Sequence, residues 1–343
     1  MSGQDTSLAR RALAGVRGGS TGTVVALLVL IFAAVIALNP SFGEPTSLLA
    51  FLKKAAPLVI LAAGQYLVIV SGEFDLSVGS LVGAQVVIAA KLIDGEESRT
   101  AGVLVVMLLF GLAVGLVNGL VTTLLKVPSF IATLGMMLVL FGAVRLWTGG
   151  APTGALSEGF RVLGRGGLGQ PGGLQLPWAV VVMLAAGAAV VVLMRSPFGR
   201  TLMSVGDNDR AAAFNGARVA LVRTTAFVLS SLLATVAAVL IGGFAGVTAQ
   251  VGQGLEFTAI TAVVLGGVVL GGGQGSPVAA MCGALVLEAL FTLFNQLGLP
   301  STARPAVQGL IIIAAVAVAA RPAGTRRRPV APAAAPPARE PVT

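Results

Sequence analysis

The chain has 343 residues, of which 56% are hydrophobic and only 10% charged, with a mean hydropathy of +0.96 and a formal net charge of +9. Soluble domains carry about 25% charged residues, so this balance excludes an ordinary soluble enzyme, a disordered chain and a nucleic-acid-binding domain. His is absent and Cys282 is the single cysteine, which removes His-based acid–base catalysis, Ser-His-Asp triads, the usual zinc sites and any internal disulfide.

Long runs almost free of charge predict an all-α polytopic membrane protein with about ten transmembrane helices and both termini cytoplasmic. A spanning helix needs about 20 mainly apolar residues. The predicted spans fall near 22–39, 55–72, 77–93, 101–124, 129–147, 177–194, 224–245, 257–271, 277–297 and 304–320. The turn sequence GGGQGSP at 271–277 separates the eighth from the ninth. Several spans are short enough to be re-entrant or tilted pieces. The first apolar stretch ends in AVIALNPSFG without a small-x-small cleavage site, so it reads as an uncleaved helix rather than a signal peptide.

Basic residues orient the chain. With the N-terminus inside, the inner segments hold Arg10, Arg11, Arg17, Lys126, Arg195, Arg200, Arg210, Arg218, Arg223, Arg321, Arg326, Arg327, Arg328 and Arg339. These are 14 of the 22 Lys and Arg residues. Three regions follow: a cytoplasmic N-terminal arm over 1–21, a transmembrane domain over 22–320 with a cytoplasmic loop at 195–223, and a Pro-rich disordered cytoplasmic tail over 321–343. The arginine cluster of that tail, Arg326–Arg328, is expected to rest near lipid headgroups.

Little in the spans offers chemistry. The glycine clusters RGGLGQPGG and GGGQGSP lack the Lys-Ser/Thr of a phosphate-binding loop, so any ATP is bound and hydrolysed on another chain. Polar groups inside the spans reduce to Gln65, Gln85, Asn118, Glu288, Asn295 and Gln296, and among them only Glu288 is acidic. Coupling to protons or sodium ions is therefore poorly supported. Asn118, Thr133 and Asn295 are the candidates for lining a passage, where a polar solute needs hydrogen bonds weak enough to release it. No catalytic residue and no metal ligand set is predicted.

Two segments stand out. SGEFDLSVGS at 71–80 places Glu73, Asp75 and Ser77 directly before a span, where Asp75 can cap the helix by accepting backbone N–H bonds and Gly79 eases a tight turn. The loop 195–223 holds five Arg, too many charges for lipid. Within it DNDRAAAFNG predicts a short helix: Asp207, Asn208 or Asp209 as cap, Arg210 to Phe214 as body, Gly216 as stop. Ala211, Ala212 and Ala213 keep that helix slim, and Phe214 offers one large apolar anchor.

The stretch GEFDLSVGS resembles the Gly-Ile-Asp-Leu-Ser-Val-Gly-Ser signature of permeases from the ribose/xylose class of bacterial ABC importers, within the wider branched-chain amino acid and sugar permease superfamily. Three further blocks resemble that family in the same order: NGLVTTLLKVPSFIATLGMMLVLFG at 118–142, FGRTLMSVGDNDRAAAFNGARVALVR at 198–223, and LEFTAITAVVLGGVVLGGGQGSPVAAMCGALV at 255–286. The blocks depart from the pattern at Glu73-Phe74, at Asp207, at GARV (216–219) and at FNQLGL (294–299), which leaves the solute open.

The resemblance implies a permease subunit for a monosaccharide or related polyol in the plasma membrane, not an enzyme. It implies a second copy of the chain, cytoplasmic ABC ATPase subunits that carry the ATP, an extracytoplasmic sugar-binding protein, and no cofactor or nucleic acid on this chain. It gives Asp75, Leu76, Ser77, Gly79 and Ser80 a structural role. It assigns ATPase coupling to the loop through Gly199, Arg200, Gly206, Asn208, Asp209, Arg210, Ala211, Ala212, Phe214 and Gly216. Branched-chain amino acids or nucleosides remain alternative solutes. A secondary carrier built from inverted repeats remains the alternative class, since GEF at 72–74 and LEF at 255–257 each lead into a span.

Overall fold

The computed structural model describes residues 21–151, 153–169, 174–248 and 250–319. Most of the predicted N-terminal arm and the whole of the predicted tail lie outside these residues. Thirteen α-helices follow one another among the described residues: α1 (Thr21–Leu38), α2 (Pro45–Val70), α3 (Val78–Ile93), α4 (Thr100–Thr123), α5 (Ser129–Thr148), α6 (Glu158–Arg165), α7 (Trp178–Arg195), α8 (Pro197–Asp207), α9 (Asp209–Phe214), α10 (Val219–Ala245), α11 (Leu255–Leu265), α12 (Pro277–Gln296) and α13 (Arg304–Ala319). The only strands among them are the pair Gly167–Leu168 and Leu176–Pro177, an antiparallel clip.

Every predicted span coincides with a helix, and the helices fall into two length classes. Seven helices, α1, α2, α4, α5, α7, α10 and α12, are long and apolar enough to cross a bilayer. α3, α11 and α13 are shorter. With 16 residues, α3 rises about 24 Å, less than the hydrocarbon thickness of about 30 Å, and α11 with 11 residues rises about 17 Å. Before α3 the chain makes a turn at Ser71 and Gly72 and runs in non-helical backbone over 73–77, and irregular turns flank α11 (246–248, 250–254 and 266–276). The predicted span 257–271 stops at Leu265 because Gly267, Gly272, Gly273 and Gly275 all take positive φ, which a helix cannot use.

α2 and α10 form the centre. Every residue of α2 from Ala55 to Val70 is buried, and α10 packs across α2, α3, α4 and α6. The close approach of α4 to α10 runs along Gly111, Gly115 and Gly119, one helical turn apart. A β-carbon on Gly115 would lie 2.7 Å from Val228 Cα, and one on Gly119 2.7 Å from Thr224 Cα. Apolar residues drive no association between helices already in lipid, so backbone approach of this kind supplies the packing. α1 and α5 sit at the periphery, with Leu30, Leu138, Val139 and Leu146 exposed as a lipid-facing surface would require.

The loops gather at two ends. At one, Gly95 N–H donates to Ala155 O at 2.9 Å, Gly159 N–H to Glu97 Oε2 at 2.9 Å, and Gly164 of α6 rests on the end of α10. At the other, residues 71–77, α8, α9 and the turn 266–276 come together, tied by Gly273 N–H donating to Val70 O at 2.9 Å. This grouping follows the alternation of the predicted spans.

Candidate functional site

In the segment 71–77 the N–H groups of Ser71, Gly72 and Glu73 bond back to the end of α2, and side chains of the flanking helices hold the non-helical backbone that follows. Phe74 N–H donates to Ser129 Oγ at 3.0 Å and Leu76 N–H to Thr133 Oγ1 at 3.1 Å. Asp75 is fully buried, and its Oδ1 accepts both the N–H of Ser77 (2.9 Å) and the hydroxyl of Ser77 (2.6 Å). Asn118 Nδ2 on α4 then donates to Ser77 Oγ at 2.8 Å. α3 thus begins where two neighbouring helices hold its leading segment from either side.

This geometry corrects two expectations. Asp75 does not reach the N–H groups of α3; it closes a local turn onto Ser77 one step before the helix, as short acidic side chains do. Asn118 and Thr133, expected on the passage, are 1% and 0% exposed and brace the signature instead. Asn295 lies at the far end of α12, exposed, where its Oδ1 accepts from Arg304 Nη2 at 3.3 Å. The three passage candidates are not brought together. Leu76 is buried, Gly79 lies against Gly252 and Glu256 with no room for a side chain, and Ser80 borders a cavity between α3 and α5.

The loop 195–223 folds into α8 and α9. Asn208 caps α9, its Oδ1 accepting from Ala211 N–H at 2.9 Å, so of the three predicted caps the middle one serves. Gly216, at φ +84°, ends the turn as predicted. Ala212 is buried against the body of the protein, whereas Arg210, Ala211 and Ala213 are exposed and Phe214 is 93% exposed. Phe214 is thus the one large apolar side chain that this capped helix leaves uncovered. Gly199 is buried against the end of α7, and Arg200 Nη1 closes that corner by donating to Arg195 O at 3.0 Å.

Two contacts join α8 and α9 to the signature. Arg223, at the start of α10, pairs with Glu73 Oε1 at 3.1 Å and with Asp209 Oδ2 at 3.5 Å, and donates to Ser71 O at 3.3 Å. Gly206 meets Val70 O and Gly273 N directly, and Gly272 rests on Gly72, so three segments touch backbone to backbone. Sequence reasoning counted Arg223 only toward orientation. The signal available was Glu73, a charge placed where the resembling family has Gly.

The family of branched-chain amino acid transport system / permease components matches residues 47–316. The chain is 34% identical to the ribose import permease protein RbsC of Escherichia coli (strain K12), over 86% of this chain and 92% of that protein. It is equally 34% identical to the ribose import permease protein RbsC of Bacillus subtilis (strain 168), over 86% of this chain and 91% of that one. The autoinducer 2 import system permease protein LsrC of Klebsiella pneumoniae shows 33% identity, over 83% of this chain and 82% of that protein. No solved structure matches the chain.

Proposed function

The chain belongs to the branched-chain amino acid transport system / permease component family, and from that premise we propose that it forms the passage for a monosaccharide or related polyol in an ATP-driven importer of the plasma membrane. The solute class follows from the curated relatives, two of which are ribose import permeases. ATP is bound and split on cytoplasmic ABC ATPase subunits, a sugar-binding protein delivers the solute from outside, and a second copy of this chain completes the passage. The membrane domain spans residues 22–320 and crosses ten times. In this reading α3, α11 and α13 complete their crossings with extended or irregular segments, and both termini lie in the cytoplasm. Residues 1–21 and 321–343 flank it as cytoplasmic arm and tail.

The observation that carries the proposal is the α8–α9 module. Asn208 and Gly216 fix a short rigid helix, Phe214 projects from it, and Arg223 and Gly206 connect it to the signature and to the turn after α11. A rigid contact of this kind passes the closing motion of an ATPase to the broken helices. Reconstitution of the full importer in liposomes, with ATP inside and labelled ribose, xylose or galactose outside, tests it. Phe214→Asp and Gly216→Pro should leave membrane insertion normal, release the ATPase and abolish import. Normal import by both variants would remove this module from coupling.

A further inference from the structure

A cavity of about 270 Å³ opens between α3, α5 and the irregular segment 246–254. Its size lies just under the range of about 300–1,000 Å³ typical of drug-sized ligands and suits one small solute. Its walls mix chemistry rarely combined by chance inside a membrane domain: Ser80, Thr248 and Gln253 offer hydroxyl and amide groups, Phe141 a ring face, Arg145 a cation and Glu256 a carboxylate. Arg145 stacks on Phe141, its guanidinium carbon 4.1 Å from the ring centroid, so the ring and the charge form one wall. Glu256 is only 7% exposed; the backbone N–H groups of Gly254 and Glu256 support its carboxylate at the start of α11, and no Lys or Arg pairs with it among the described residues.

A buried carboxylate without a cation is costly in lipid, and such groups mark pathways more often than packing. Glu256 stands at the first turn of α11, against Gly79 at the first turn of α3, with Val251 O 2.5 Å from where a β-carbon on Gly83 would sit. Both broken helices therefore start beside this cavity. Ser80, the last residue of the signature, is among its walls. The segment that Arg223 ties to α9 and the wall of the cavity thus belong to one continuous stretch of chain.

We propose that this cavity is the resting site of the solute on this subunit and that it takes a neutral polyhydroxylated molecule of monosaccharide size. The Glu256 carboxylate, already held by backbone N–H groups, accepts a hydrogen bond from one solute hydroxyl, Ser80 and Gln253 bind further hydroxyls, and Phe141 covers an apolar ring face. The inference rests on the importer function proposed above. Movement of Ser80 with the signature changes the shape of the site and releases the solute.

The test uses the assembled importer in liposomes, with labelled ribose, xylose and galactose as probes. Glu256→Gln keeps the shape and removes the charge, Ser80→Ala removes one hydroxyl, and Ala84→Leu fills a cavity wall at a residue outside the hydrogen bonding. We expect Glu256→Gln to lower import about tenfold, as loss of a charged hydrogen bond does, Ala84→Leu to lower import by filling the cavity, and Ser80→Ala to alter the ratio among the three sugars. Assembly, read by gel filtration of the complex, should stay at the level of the unchanged protein. Wild-type import with unchanged rates and sugar ratios in all three variants overturns the resting site alone. A wild-type complex that imports none of the sugars overturns the proposed function, and this inference with it. Loss of assembly in Glu256→Gln and Ala84→Leu, with sugar ratios unchanged in Ser80→Ala, would make the cavity structural and also overturn it.

Discussion

Arg223 is the position where a single substitution separates charge pairing from packing. Its Nε lies 3.1 Å from Glu73 Oε1, and the two side chains are 19% and 13% exposed. At an effective dielectric constant of about 20 the attraction is about 5 kcal/mol, but desolvation takes back several kcal/mol, so the net worth of the pair is about 1–2 kcal/mol. Removing one partner is worse than removing both. Arg223→Gln leaves Glu73 unpaired and loses the bond to Ser71 O, which should destabilise the protein by about 2–3 kcal/mol. Asp209, 48% exposed and 3.5 Å away, contributes little, and Asp209→Asn should cost less than about 1 kcal/mol. The Arg223→Gln, Glu73→Gln double variant should recover about 1–2 kcal/mol relative to the sum of the singles. Reversible unfolding in mixed micelles with increasing dodecyl sulfate measures all four. Equal stability of Arg223→Gln and Asp209→Asn would refute the reasoning, because the buried pair would then be worth no more than the exposed one.

Asp75→Ala removes the acceptor for both Ser77 bonds in a buried setting and should cost about 2–3 kcal/mol and lower the yield of folded protein, whereas Asp75→Asn keeps an Oδ1 acceptor and should be milder; equal yields of the two would show that the acceptor is dispensable. Gly206→Ala has no space against Val70 O and Gly273 N and should destabilise by about 1–3 kcal/mol. Gly216→Ala meets no neighbour and should cost only about 1 kcal/mol for its left-handed φ, confined to α9, as proteolysis of the loop would report.

What was legible in the sequence was what local chemistry decides. Charge-free runs located every apolar helix, because the cost of a charge in lipid is paid residue by residue wherever the chain lies. The α9 helix was readable to its stop, since an Asn cap and a Gly after the last turn act within one turn of the backbone. The short helices were not separable from full spans by hydropathy, which does not register the positive φ of Gly267 and Gly272 that ends α11. The passage candidates were not brought together for a different reason. A polar side chain in an apolar span looks the same whether it faces a solute or a neighbouring backbone. Thr133 and Asn118 found their partners in segment 74–77, at separations of 57 and 41 residues that no local pattern encodes.

The signature gains its meaning from both of its ends. At Gly72 the backbone rests on Gly272 and lies near Gly206, close enough that none of the three segments can shift without the others, because a packed interior compresses very little. At Ser80 the same segment becomes a wall of the cavity. Between these ends Phe74 and Leu76 N–H donate to Ser129 and Thr133 and Asn118 donates to Ser77, so residues 74–77 are held from two helices and a push at one end is expected to pass on as translation rather than be absorbed as a bend. In the proposed importer this braced segment would be the lever, and the cavity bordered by Ser80 the place where a polar solute is held.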